Sequence, residues 1–136
     1  MPSYGTALYK LQKAMYEALV DDTTLRQMGV KVFDYVTTEE TFPYIVFQSP
    51  SELQFNTFDR FGSEVDFNLH IWSRYDGWKE CYEILDRLNT ILHYQQIPID
   101  GLHLVYLRSE NVNSQIDLNL EIRQLIVTYN ALLLQA

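Results

Sequence analysis

The sequence predicts an α+β domain in which two main helices pack on one face of an antiparallel or mixed β-sheet and a long loop is exposed. Two segments, residues 3–20 and 77–94, carry apolar residues at intervals of three and four positions, which is the spacing of one helical face. Other segments are rich in β-branched and aromatic residues and are bounded by turn residues. Strands grouped in pairs, with the two helices between or before them, favour an α+β architecture.

The first helix is predicted from Leu8, Leu11, Met15 and Leu19, which lie on one face of residues 3–20. A short helical turn is expected after it, at residues 23–28. The second main helix is the most clearly marked element of the chain. Its apolar face comprises Cys81, Ile84, Leu85, Leu88, Ile91 and Leu92.

Strands are predicted at residues 30–36, 42–48, 64–74 and 102–108. The C-terminal residues 116–134 also have an extended pattern, but their alternation changes phase near Gln124. A β-bulge or a break into two strands would explain that change. Residues 109–115 are polar and are predicted to form a loop. In the predicted architecture the helices cover the apolar side of the sheet, and the other side meets solvent or a partner.

Length and composition predict one folded domain over residues 1–136, with 47% hydrophobic and 21% charged residues. The formal net charge of −8, with ten basic residues of which no two are adjacent, argues against a protein that binds the phosphate backbone of nucleic acids. The single cysteine cannot form an internal disulfide, which suits a reducing compartment. We find no secretory leader and no apolar run long enough for a membrane helix, so we expect synthesis in the cytoplasm.

Neither a metal site nor a catalytic nucleophile is predicted. His70, His93 and His103 lie 23 and 10 residues apart, which matches none of the common spacings of metal ligands. Cys81 falls on the apolar face of the second helix, where core packing is the expected role. Phosphate-binding glycine loops are absent from a chain with only five glycines. We therefore expect no enzyme activity and no cofactor.

Polar residues on the strand at 64–74 raise the question of a site. Glu64 and Asp66 share one strand face, but no Lys follows them as in a metal-dependent nuclease, so a solvated face is expected. His70, Trp72 and Arg74 end the strand. Here Trp72, with Trp78 across the turn, is expected to pin the strand to the second helix, and Arg74 could pair with a carboxylate such as Asp76 or reach a neighbouring subunit.

The aromatic content of 14% is high for a small core and indicates a protein–protein surface. Residues 49–62 are predicted to form the long loop, in which three phenylalanines recur every third residue. The rings could fold back on their own domain, but ordering such a loop costs more backbone entropy than burial of three rings returns. We expect the loop to be mobile in the free monomer and to become ordered against a neighbouring subunit. The interface candidates are Phe55, Phe58, Arg60, Phe61 and Arg74.

Two patches together resemble a known family. They are the segments "FPYIVFQ" at 42–48 and "VDFNLHIWSR" at 65–74, the second followed by an amphipathic helix. In this order they resemble the tail completion proteins of long-tailed bacteriophages, which are also called tail terminator or tail-to-head joining proteins. The resemblance covers most of the chain and is closest to the siphophage type. The loop at 49–62 departs from the family pattern.

The resemblance implies a structural role in the virion. Such proteins are ring-forming subunits, monomeric when free and hexameric in the virion. Their ring joins the head connector or head-closure protein to the tail tube, and DNA passes through its lumen without specific binding. An acidic chain suits such a channel because it repels phosphates. The alternative from the residues themselves is a small-molecule-binding or enzymatic α+β domain with a site at the helix–sheet edge.

Overall fold

A computed structural model describes residues 6–34, 41–55 and 60–136 of the chain. The elements, in chain order, are α1 (Leu8–Val20), α2 (Thr23–Gln27), β1 (Lys31–Phe33), β2 (Tyr44–Gln54), β3 (Gly62–Ser73), α3 (Lys79–Leu92), β4 (Leu102–Asp117) and β5 (Ile122–Gln135). The described strands form one mixed sheet in the order β1-β2-β3-β5-β4, with β1 parallel to β2 and every other pair antiparallel. The edge strands of the described sheet are therefore β1 and β4.

The helices pack on one face of the sheet, as the sequence predicts, and the α+β fold class is confirmed. Helix α1 buries Leu11, Met15 and Leu19, and α3 buries the apolar stripe that includes Ile84 and Leu88. The odd-numbered residues of β3 face these helices because strand side chains alternate between the two sides of a sheet. The apolar side chains of β3 in this core are Val65, Phe67, Leu69 and Ile71.

A charged contact ties α2 to α3. The carboxylate of Asp22 caps α2 by accepting a hydrogen bond of 3.0 Å from the N–H of Leu25. Both oxygens of the same carboxylate also accept hydrogen bonds from the guanidinium of Arg87 on α3, at 2.9 and 2.5 Å. These hydrogen bonds, from Arg87 first and then from Leu25, hold the pKa of Asp22 below its usual value.

The loop predicted at 49–62 is shorter than expected. Residues 49–54 continue β2, and the register shifts between Gln48 and Ser51, where Ser49 has a φ of 54°. Pro50 has no N–H for a regular ladder. It is accommodated by the bulge, at a point where, among the described residues, β2 pairs with β3 alone. Strand β3 then begins at Gly62, so the connection spans residues 55–61, of which 56–59 lie outside the described residues.

The polar segment 109–115 forms a strand and not the predicted loop. It belongs to β4, which continues to Asp117 and pairs with β5 through a turn at residues 118–121. The carboxylate of Asp117 accepts hydrogen bonds from the N–H groups of Asn119 and Leu120, at 3.0 and 3.1 Å, which fixes this turn. Of the two explanations for the change of phase near Gln124, a β-bulge or a break into two strands, the structure shows the break, at residues 118–121.

Candidate assembly surfaces

The face of the sheet turned away from the helices carries the even-numbered residues of β3 and their partners on the neighbouring strands; we call it the open face. One end of it is aromatic. The ring of Tyr44 stacks on Trp72 at 6.3 Å between centroids, and Trp72 stacks on His70 at 6.5 Å. Phe42 extends this row beside Tyr44, at 5.0 Å.

Arg74 joins this aromatic row. Its guanidinium lies over the ring of Phe42, 4.6 Å from the centroid, in place of the ion pair with Asp76 that the sequence suggested. Because Trp72 lies on the open face and α3 packs on the opposite face, Trp72 does not pin the strand to the helix. That expectation was wrong, since the alternation of β3 places position 72 with the polar residues.

Trp78 holds the turn into α3 instead. It packs partly buried against the core beside the helix start. The guanidinium of Arg123 lies 5.8 Å from the centre of the Trp78 ring and donates a hydrogen bond of 2.8 Å to the carbonyl of Tyr75. The turn is thus fastened to the beginning of β5 by an arginine that the sequence pattern did not single out.

The centre of the open face is a network of amides and carboxylates. Asn130 is only 2% exposed, and its amide nitrogen donates to Glu64 at 3.1 Å and to Asp66 at 2.8 Å. Gln124 contacts the Nδ1 of His70 in the same layer, and burial lowers the pKa of that imidazole, which favours its neutral form. The carboxylates are satisfied by an amide donor, and the described residues contain no group of three ligands that could hold a metal ion.

Buried nucleophilic groups belong to the core. Burial raises the pKa of the Cys81 thiol to about 11, so the reactive thiolate is scarce at neutral pH. Burial likewise raises the pKa of Tyr129, whose hydroxyl donates a hydrogen bond of 2.7 Å to Asn89 on α3. Both side chains hold the helices to the sheet.

In the described ranges of the chain, no helix is long and apolar enough to cross a membrane.

The interface candidates from the β2–β3 connection have different surroundings. Phe61 is 3% exposed and lies in the protein's own core, where its N–H and C=O are hydrogen-bonded to Gln135. Phe55 is 36% exposed and packs against Gly62 so closely that a Cβ there would approach the ring to 2.6 Å. Arg60 is exposed. Phe58 lies outside the described residues, so the predicted ordering of this connection on a neighbouring subunit stays a prediction.

A surface that the sequence did not indicate lies on β4 and its turn. Every residue from Glu110 to Glu121 is exposed, and we call this segment the exposed hairpin. Leu118 at its tip is 78% exposed and Leu120 is 58% exposed. The first half of β4 behaves differently, because Leu104 and Leu107 are buried in the core. The alternation of Val112, Ser114 and Ile116 with Asn111, Asn113 and Gln115 was the signal that could have identified this strand.

The opposite edge of the sheet carries a groove between α1 and β1, of about 550 Å³. Its lining is mainly apolar and aromatic, with one lysine, Lys13, and one carboxylate, Asp34, and we call it the α1–β1 groove. Among its lining residues are Tyr9, Gln12, Lys13 and Tyr16 of α1 and Val32 and Phe33 of β1.

Comparison with known proteins identifies the family of the chain. Residues 13–134 match the family described as "Tail completion protein gp17". The chain belongs to that family. The tail completion protein gp17 of Bacillus phage SPP1 is 27% identical over 95 residues, which are 70% of each of the two chains. This chain is therefore a structural protein of the phage tail.

Solved structures of similar fold agree with the architecture. A chain from the virion of a native gene transfer agent particle superposes with a TM-score of 0.84 at 19% identity, over 96% of this chain and 98% of that one. The structure of bacteriophage SPP1 gp17 protein gives a TM-score of 0.65 at 22% identity, over 96% and 94% of the two chains. At these identities the two structures show that the fold is shared. The tail completion family rests on the sequence match over residues 13–134.

Proposed function

We propose that this chain forms a ring, of six subunits, at the head-proximal end of the phage tail, where it joins the tail tube to the head connector or head-closure protein. The observation that carries the proposal is its membership of the tail completion family over nearly the whole chain. In this proposal the chain is made in the host cytoplasm and ends at the head–tail interface of the virion.

The architecture supports a ring. A closed ring requires head-to-tail contacts, in which each subunit uses two different surfaces. The described sheet ends in two unlike edges, since β1 has three residues and β4 has sixteen. Subunits that join through these two edges can repeat around an axis until the ring closes.

The charge of the chain supports passage of DNA through the lumen. A net charge of −8 repels phosphates, so DNA would cross the ring without being retained. The open face contributes Glu64 and Asp66, which are held in place by Asn130. A lumen with fixed carboxylates and amides would present hydrogen-bonding groups but no basic cluster to the passing duplex.

The alternative function, binding or turnover of a small molecule at the helix–sheet edge, has weaker support. The α1–β1 groove occupies such an edge, but its lining is chiefly apolar and aromatic, and its only charged side chains among the described residues are Lys13 and Asp34. In the described part of the chain, His70 and Arg74 lie on the opposite face of the sheet, away from this groove. No observation in the described residues favours a reaction there.

Electron microscopy of phage tails that lack this protein tests the proposal. Adding the purified chain to such tails should produce ring density at the head-proximal end, and adding filled heads should then restore infectious particles. Tails with no added density, together with no recovery of infectivity, would refute the joining role.

A further inference from the structure

We propose that the exposed hairpin of one subunit docks in the α1–β1 groove of the next, and that this contact closes the ring. The inference rests on the proposed function, because it identifies the two surfaces that the ring would use. The groove lies outside the aromatic row and the Phe55–Phe61 connection, and the exposed hairpin borders the aromatic row at Trp72, which lines one depression with Ile116 and Leu120.

The exposed hairpin has the character of a surface that awaits a partner. It presents Leu118 and Leu120 at its tip and Val112 and Ile116 along its strand, all exposed. Exposed large aliphatic side chains in one contiguous segment mark interaction sites. The outer edge of β4 has no neighbouring strand in the described sheet. At Leu107 and Ser109 this edge is hydrogen-bonded to Tyr94 and His93, whereas the later residues of the strand present an edge that is a ready site for contact with another chain.

The α1–β1 groove complements that segment in shape and polarity. It is a concave surface at the far edge of the same sheet. Val32 and Phe33 of β1 line one side of it, and exposed tyrosines of α1 line the other. A leucine-tipped turn entering it would remove apolar surface from water on both subunits, which is the main driving force of such contacts. Because hairpin and groove are at opposite edges, a subunit cannot satisfy its own groove with its own hairpin.

Charge also bears on the pairing. Between residues 109 and 122 the chain has three acidic residues, Glu110, Asp117 and Glu121, and no basic one, so two hairpins repel each other. The groove lining holds one cation, the exposed Lys13, together with the carboxylate of Asp34. Within the described ranges Lys13 has no ion-pair partner, so it can meet an acidic residue of the hairpin.

Cysteine cross-linking in assembled tails tests the contact directly. The variant Gln12→Cys/Leu118→Cys places one thiol in the groove and one at the hairpin tip, while Cys81 is buried and unreactive. After oxidation on tails, it should give a ladder of linked subunits on a non-reducing gel. Each single variant should run as a monomer, and so should the control Leu118→Cys/Tyr82→Cys, since Tyr82 is exposed on α3.

The outcomes separate the two proposals. If wild-type chain and the Gln12→Cys/Leu118→Cys variant both restore infectious particles but no ladder forms, the docking inference is wrong and the joining role stands. A dimer from the Leu118→Cys single variant alone would also overturn it, because that dimer requires hairpin-to-hairpin contact. If the wild-type chain itself does not add density to tails, the joining role fails.

Charge reversal gives a second test that does not depend on cross-linking. Lys13→Glu and Glu121→Lys should each lower the yield of infectious particles by more than about tenfold, because each places like charges together at every subunit contact. The double variant should recover most of the yield. Asp117 is left intact because it fixes the turn. Two silent single variants, or a double variant no better than the singles, would contradict the docking.

Discussion

The helix-covered half of the sheet and the exposed hairpin contain the same strand, β4, yet they have opposite properties. Leu104 and Leu107 in its first half are buried under the helices, whereas every residue from Glu110 to Glu121 is exposed. The first region contributes to folding through apolar burial. The second contributes little to folding by the same measure. Its leucines are exposed, and the edge of its strand has no neighbouring strand in the described sheet, so another chain could contact both.

The largest expected effect comes from the core. Leu88→Ala removes a fully buried side chain of α3 and should lower the free energy of unfolding by about 2–5 kcal/mol, through lost transfer energy and a residual cavity. Urea denaturation followed by tryptophan fluorescence measures it. The matched control is Leu120→Ala in the exposed hairpin, for which a change within about 0.5 kcal/mol is expected. Equal losses for the two leucines would remove the contrast between the regions.

The next effect concerns the polar network of the open face. Asn130→Asp replaces the amide that donates to Glu64 and Asp66 with a third carboxylate, at a site that is almost fully buried. We expect a loss of about 1–3 kcal/mol at pH 7, because a buried donor is lost and like charges meet. The introduced carboxyl has a raised pKa in the folded state, so the loss should shrink as the pH falls. Asn113→Asp, on exposed β4, is the control, and an equal loss there would contradict the account.

A smaller effect is expected at the contact between α2 and α3. Asp22→Asn keeps a capping side chain but removes the charge that Arg87 contacts, so it should lower stability at neutral pH. Because the folded-state pKa of Asp22 is lowered, the stability from this charge is fully present above the unfolded pKa of about 3.9 and is lost as the pH falls through the lower folded value.

Denaturation of wild type and Asp22→Asn between pH 7 and pH 2 measures this. The difference between them should disappear at the acid end of the range. Asp22→Ala should cost about 1 kcal/mol more than Asp22→Asn at pH 7, since alanine cannot cap the helix. A difference between wild type and Asp22→Asn that does not depend on pH would show that the charge of Asp22 does not stabilise the fold.

The parts of the fold that were predictable from sequence are those with one buried side. Leu11, Met15 and Leu19 on α1, like Ile84 and Leu88 on α3, follow the helical period because one stripe faces the sheet. The later residues of β4 show why other parts were missed. Both sides of that strand are exposed, so its polar residues suggested a loop, and only the alternation of small differences in polarity marks the strand.

The candidate surfaces were predictable only in part, since residue type does not reveal the direction of a side chain. Phe55 and Phe61 belong to the same triplet pattern, but Phe61 is buried and Phe55 is partly exposed. Trp72 and Trp78 flank one turn, but the pleat of β3 puts Trp72 on the open face, and the helix start puts Trp78 against the core. The partner of Arg74 is the ring of Phe42, which lies two residues before β2 begins and is therefore distant in the sequence.

The variant Leu118→Ser/Leu120→Ser should have the smallest effect on stability. It also tests most directly whether the exposed hairpin serves assembly. Its unfolding free energy and its yield of infectious particles on tails that lack the protein should be measured together. We predict a stability within about 0.5 kcal/mol of wild type and a yield lowered by more than about tenfold. A variant that unfolds as easily as Leu88→Ala, or one that joins tails as well as wild type, would contradict the assignment of the exposed hairpin to assembly.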